Sequence, residues 1–251
     1  MVGGRWSAMR FVESQEYIGR MLSTLFRRLS GAIPSQCLVC RRWPARPVCE
    51  ACASRFAQPR HRCRSCALPV PESVLQCGAC LRSTPPLDAC LAAVDYTYPW
   101  SSLIVDFKFQ AQTGYAESLA LLMRSAPWVE PALEAASALI PMPLSRQRLQ
   151  GRGYNQAELL ARQLAPAKVR KDLLLRVRDT PAQSSLTREE RMRSVQGAFA
   201  IEPMKNTQLQ GARLVLVDDV MTSGASLYAA ATVLRAAGAS QITALVLART
   251  E

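Results

Sequence analysis

The stretch Leu214-Val215-Leu216-Val217-Asp218-Asp219-Val220-Met221-Thr222-Ser223-Gly224-Ala225-Ser226 runs four apolar β-formers into two aspartates and then into a small, hydroxyl-rich loop. Apolar residues without polar alternation suit a central parallel strand buried on both faces. Open α/β sheets bind ligands at the carboxyl ends of such strands, and the pattern puts Asp218 and Asp219 there. Two adjacent carboxylates can accept hydrogen bonds from vicinal hydroxyls or hold a hydrated Mg²⁺, which favours one or two carboxylates plus phosphate oxygens. The residues from Leu227 to Ala237 then read as a helix closed by Gly238. Thr222, Ser223, Gly224, Ala225 and Ser226 therefore gather their N–H groups and hydroxyls at a helix N-terminus, where phosphate is favoured. A Walker B strand would also end in aspartate, but it needs a G-x-x-x-x-G-K-[ST] loop that this chain lacks. Helix capping alone needs one carboxylate, not two followed by T-S-G-A-S.

Upstream, the chain is organised by cysteine. Eight of its nine cysteines form four C-x-x-C knuckles: Cys37/Cys40, Cys49/Cys52, Cys63/Cys66 and Cys77/Cys80. This spacing lets two thiolates reach one tetrahedral ion, and two knuckles complete a structural Cys₄ zinc site. Eight ligands imply two Zn²⁺ ions. Pairing consecutive knuckles gives compact ribbons, and interleaved pairing needs longer spans. A disulfide framework would call for a secreted protein, yet residues 1–30 carry charges throughout and offer no export core or membrane span. A cytoplasmic chain with reduced thiols is expected. Cys90 opens an apolar strand as a buried thiol, and His61, the only histidine, stands two residues before Cys63 as an alternative ligand.

The net charge of +12 is uneven. Residues 1–90 hold 13 arginines against 5 acidic residues, and residues 91–251 hold 18 basic against 14 acidic. A basic zinc module suits a polyanionic partner such as single-stranded DNA or RNA, and liberal use of arginine is the plainer reading. Arg41, Arg42, Arg46, Arg60, Arg62 and Arg64 flank the knuckles, with Trp43 and Phe56 among them as stacking surfaces or as a small core. Residues 11–29 have the apolar spacing of an amphipathic helix.

From residue 91 the pattern alternates strand and helix. Strands are expected at 91–98, 138–142, 173–177, 214–217 and 242–247, and helices at 101–109, 116–124, 155–164 and 227–237. Such alternation implies a parallel sheet with helices on both faces. Between the second strand and its helix, the segment from Pro141 to Gln156 reads as a loop with Arg146, Arg148 and Arg152 and the glycines Gly151 and Gly153, suited to pyrophosphate. A polar stretch from Arg176 to Arg193 holds five arginines and reads as a lid over a bound anion.

Together these residues resemble a known family. The thirteen-residue stretch matches the signature of type I phosphoribosyltransferases, which bind 5-phosphoribosyl-1-pyrophosphate (PRPP). The knuckles, Asp106-Phe107-Lys108-Phe109, Ile140 to Leu144, Arg152-Gly153-Tyr154-Asn155-Gln156, Gln183 to Arg191 and Val217 to Val220 follow the order of the ComF/GntX family from about residue 35 to 250. The resemblance implies an α/β fold: a type I phosphoribosyltransferase-like parallel sheet preceded by a small Cys-rich zinc ribbon module. The expected divisions are 1–34, 35–88 for the double ribbon and 89–251 for the phosphoribosyltransferase-like domain. It further implies that Asp218 and Asp219 meet the ribose hydroxyls of Mg²⁺-PRPP and that Thr222 to Ser226 meet the 5′-phosphate. Arg148, Arg152 and Gly153 would then face the pyrophosphate. Ser223 stands where the family usually has threonine, and Met142 where it has valine. A role in competence or use of external DNA, with single-stranded DNA and competence proteins as partners, is implied too. The alternative is transfer of the phosphoribosyl group from PRPP to a nitrogenous acceptor.

Overall fold

The computed structural model describes residues 35–43, 45–179 and 188–251. The expected helix over 11–29 and residues 180–187 of the expected lid lie outside them. The chain divides into two compact units, Met1–Cys52 and Ala53–Glu251, so the two cysteine groups stand in different units.

In the larger unit, β1 (Ala89–Asp95), β2 (Ala138–Pro141), β5 (Arg213–Met221) and β6 (Gln241–Arg249) form one wholly parallel sheet in the order β1-β6-β5-β2. The two inner strands bury almost every residue, as parallel strands covered on both faces must. On one face lie α4 (Tyr115–Arg124) and α7 (Gln156–Leu164), which pack on each other and on the strands. On the other lies α9 (Ala225–Ala236), whose Ala230, Ala231 and Leu234 are fully buried beside Leu214, Leu216, Ile242 and Ala244. Between the first strand and α4 runs α3 (Trp100–Phe109), and α5 (Val129–Ala135) follows α4.

Several expectations shift. The Leu214 strand does not stop at the aspartates: it continues to Met221, because β6 pairs with it as far as Arg249. On its other side, β2 ends earlier, at Pro141 opposite Val217, and Pro143 has no N–H with which to extend the ladder. From Asp218 onward one edge of β5 therefore lies open. The expected strand at 173–177 is present as β3 (Leu174–Arg176), but it pairs antiparallel with β4 (Phe199–Ile201) outside the main sheet. Between β3 and β5 the chain also forms α8 (Arg188–Ser194) and the 3₁₀ turn Pro203–Leu209.

The arginine-rich segment read as a loop contains a helix, α6 (Arg146–Arg152). The Ser145 Oγ caps it by accepting from the Arg148 N–H at 3.3 Å, and Gly153 ends it at a φ of 76°. A serine before and a left-handed glycine after are ordinary helix start and stop signals. In helical spacing Arg148 and Arg152 share a face, four residues apart.

Candidate functional site

Both cysteine groups are assembled, and in consecutive pairs. The sulfurs of Cys37, Cys40, Cys49 and Cys52 lie within 4.8 Å of one another, as do those of Cys63, Cys66, Cys77 and Cys80. Two Sγ–Sγ separations, Cys40 to Cys49 and Cys66 to Cys77, are 3.7 Å. Tetrahedral Zn–S bonds of about 2.3 Å set ligand sulfurs roughly 3.8 Å apart, so the donor sets fit zinc. The two groups share one construction. The Cys49 N–H donates to Cys37 Sγ at 3.4 Å and the Cys77 N–H to Cys63 Sγ at 3.3 Å. The residue after each first knuckle, Arg41 or Ala67, is left-handed. Burial raises the Cys37 thiol, but N–H donors from Cys40, Cys49 and Val39 overcome this and bring it down to about 6. The same balance, with Cys80 and Cys66 as partners, brings Cys77 to about 7. Burial pushes Cys52 the other way, up to about 12, and Cys66 up to about 11, so each group joins a ready thiolate to thiols that would lose a proton as metal binds. His61 is exposed and belongs to neither group.

At the open edge of β5 lies a cleft of about 200 Å³, whose walls include Lys108, Arg148, Arg152, Arg176, Asp218 and Asp219. The aspartates thus meet Arg148 and Arg152, although α6 and β5 are far apart along the chain, whereas Arg146 lines a different hollow. A smaller hollow of about 70 Å³ is lined by Asp218 and by Val220 to Leu227, and it shares Asp218, Val220 and Ser226 with the cleft. Within it Ser223 Oγ accepts from the Ala225 N–H at 3.4 Å, and α9 begins with first-turn N–H groups that have no helical acceptor. Gly153 does not line the cleft; it closes α6.

Lys108 and Arg176 were not singled out for this site. Lys108 Nζ lies 2.8 Å from Asp219 Oδ1, with both side chains largely buried. The Asp106-Phe107-Lys108-Phe109 segment contained it, but nothing local points a helical lysine at a distant strand. The Arg152 to Gln156 motif explains how it arrives there. Tyr154 Oη donates to the Phe107 carbonyl, and Gln156 Nε2 donates to that of Lys108 at 3.4 Å. Arg152 lies over the Phe109 ring at 4.9 Å and donates to Gln156 Oε1 at 3.1 Å. Asn155 caps α7 through the Ala157 N–H and donates to the Met142 carbonyl at 3.0 Å. The motif thus clamps the end of α3 against the cleft.

Burial, then the neighbouring Asp219 carboxylate, push the Asp218 carboxyl up to about 7, against the pull of Lys108, the Asp219 N–H and Arg176. A carboxyl raised in the folded state contributes stability that is full below its ordinary value near 4 and is lost as pH rises through 7. Asp218→Asn should therefore leave the melting midpoint nearly unchanged at pH 4. At pH 8 it should add about 1–2 kcal/mol of stability and raise the midpoint by roughly 2–8 °C. Equal midpoint changes at the two pH values would show that Asp218 titrates normally.

A parallel sheet whose open edge carries an aspartate pair and a hydroxyl loop is the frame of a phosphoribosyltransferase-like domain. Residues 149–251 match the phosphoribosyl transferase domain family. The DNA utilization protein YhgH of Salmonella typhimurium is 31% identical over 230 residues, which cover 87% of this chain and 98% of that protein. Competence protein F of Haemophilus influenzae is 33% identical over 210 residues, covering 80% and 90% of the two chains. Competence protein ComFC of Bacillus subtilis is 38% identical over 93 residues, 37% of this chain. The chain belongs to the ComF family. Among the described residues, no helix is long and apolar enough to cross a membrane.

Proposed function

We propose that the cleft binds PRPP with Mg²⁺, and that the protein uses this pocket in handling external DNA, as its relatives' names suggest. The observation that carries the reading is that Asp218, Asp219, Arg148, Arg152 and the Thr222–Ser226 loop adjoin a single continuous cleft and hollow. The aspartates receive the ribose hydroxyls, the loop takes the 5′-phosphate, and the arginines take the pyrophosphate. The carboxylate pair fits Mg²⁺, which when bound would offset the pyrophosphate charge. Lys108 pairs with Asp219 at 2.8 Å and would stand beside the ligand's negative charge.

Calorimetry with three ligands tests the assignment. Arg148→Ala should weaken PRPP and pyrophosphate binding about tenfold or more while leaving ribose 5-phosphate within about twofold, since a charge-assisted hydrogen bond contributes roughly 1.5–3 kcal/mol. Equal losses for all three ligands would remove Arg148 from the pyrophosphate site. Release of pyrophosphate from PRPP in the presence of nitrogenous bases separates a transferase from a binding protein.

A second reading concerns nucleic acid, and a specific observation favours it. Trp43 is 63% exposed in the first unit, and Arg41, Arg42 and Arg46 around it are exposed as well. Phe56, by contrast, is half-buried and packs edge-on against Tyr98, and Arg60 and Arg62 are engaged by Asp95. Single-stranded DNA should therefore bind through Trp43 and its neighbouring arginines, with base stacking contributing about 1–3 kcal/mol. Trp43→Ala should weaken binding of a fluorescent oligonucleotide roughly fivefold or more. Arg41→Glu with Arg42→Glu should reduce the salt slope by about 2. An unchanged slope would leave the basic charge without this role.

A further inference from the structure

The second cysteine group packs into the core of the larger unit. Cys63, Cys66 and Cys80 are almost fully buried and belong to the same apolar cluster as Cys90, Met221 and Tyr228. Met221 ends β5 and Tyr228 lies in the first turn of α9, so these two residues bracket the Thr222–Ser226 loop. They also lie directly against it. A Cβ on Gly224 would fall 2.6 Å from Met221 Cε and 2.6 Å from Tyr228 Cζ.

Arg249, only 5% exposed at the end of β6, joins the two regions. Its Nε donates to the Cys66 carbonyl at 2.8 Å and its Nη1 to the Met221 carbonyl at 3.0 Å. One buried guanidinium thus ties the first knuckle of the group to the residue that opens the loop. Nearby, Cys90 Sγ lies 3.5 Å from Met221 Sδ, and the Cys90 N–H donates to the Arg64 carbonyl inside the knuckle at 2.7 Å. The Tyr228 hydroxyl is buried and has no hydrogen-bond partner among the described residues. Burial, then Cys66, Cys90 and Cys80 as electrostatic neighbours, raise it above its ordinary range. A buried donor without an acceptor is costly, and a metal-bound thiolate is an acceptor where a thiol is a poor one.

We propose that the Cys63/Cys66/Cys77/Cys80 group, acting through Arg249, Met221 and Tyr228, holds the Thr222–Ser226 loop in its anion-binding shape, so that metal at this group and phosphate in the loop strengthen each other's binding. Arg249 and Tyr228 are positioning residues in this scheme. The group is then more than a staple for its own ribbon: loss of its ion reshapes a ligand site. The inference rests on the reading of the loop as a phosphate site only in its ligand half. Coupling of this kind is reciprocal, so each ligand changes the other's affinity by the same factor.

The test uses full-length protein and two single variants. Cys77→Ser removes the half-buried ligand of the second group, and Cys40→Ser removes the exposed ligand of the first. Metal analysis should give two zinc ions in the parent and one in each variant. Hydrogen exchange of the peptide spanning Met221 to Tyr228, measured without any ligand, should speed up tenfold or more in Cys77→Ser and stay unchanged in Cys40→Ser. Ribose 5-phosphate affinity should drop at least tenfold in the first and hold in the second. Equal loop exchange in the two variants would overturn the proposal. Should Cys77→Ser fail to fold, the parent protein decides the matter. Saturating ribose 5-phosphate should slow chelator removal of one zinc and leave the other alone; unchanged release of both overturns the coupling. Should the parent bind no ribose 5-phosphate, the PRPP reading falls, while the exchange comparison still judges the support of the loop.

Discussion

Asp218→Asn with Asp219→Asn should weaken magnesium-dependent PRPP binding about 100-fold or more while the protein stays folded. Each carboxylate is assigned a charge-assisted hydrogen bond to a ribose hydroxyl, and such bonds contribute about 1.5–3 kcal/mol apiece. Losing two removes at least about 3 kcal/mol, and 1.4 kcal/mol corresponds to a factor of ten. The attraction for the metal-bound ligand goes with them. The fold tolerates the change because its two halves oppose. Removing Asp218 relieves a buried carboxyl whose proton is held up to about pH 7. Removing Asp219 leaves the largely buried Lys108 ammonium without its 2.8 Å partner. Circular dichroism should report a parent-like fold, and calorimetry should report the loss. Unchanged PRPP affinity in a folded double variant would remove the central claim about this cleft.

What could be read ahead of the coordinates follows a physical divide between local and distant information. The Leu214 strand, its aspartates and the loop were legible because each signal lies within a few neighbouring residues: an apolar run, two charges, a glycine, a helix. The knuckles were legible for the same reason, and consecutive pairing needed only the shorter spans. The end of β5 was not legible, since the strand persists to Met221 because of what β6 does beside it. Likewise β3 has the composition of a strand, but only its partner β4 decides that it lies outside the main sheet. The α6 helix was misread for a different reason. Gly151 lowers the helix preference of this short segment, and the Ser145 and Gly153 signals that bound the helix were read as features of a loop. Lys108 was missed because its role depends on Tyr154 and Gln156 holding the end of α3 against the cleft, a tertiary relation with no local trace. The motif around them was taken as a pyrophosphate loop, and three of its side chains turn out to be the clamp.

Gly224→Ala should abolish tight binding at the loop, and comparison with Gly153→Ala isolates why. Both glycines have left-handed backbones, with φ of 81° and 76°. An L residue forced there pays about 1–2 kcal/mol for its Cβ against the neighbouring carbonyl. The surroundings differ. A Cβ at Gly153 meets nothing within 4 Å, but at Gly224 it meets Met221 Cε and the Tyr228 ring at 2.6 Å. Met221 and Tyr228 are themselves buried, so neither can retreat without opening the core. The loop must move instead, carrying Ser223, Ala225 and Ser226 away from the hollow they line. Gly153→Ala should therefore lower the melting midpoint by roughly 2–8 °C, the strain alone, with ribose 5-phosphate affinity within about twofold of the parent. Gly224→Ala should lower the midpoint further and reduce that affinity at least about tenfold. If the two variants lose the same stability and Gly224→Ala keeps its affinity, the close packing of the loop on Met221 and Tyr228 is not what shapes it.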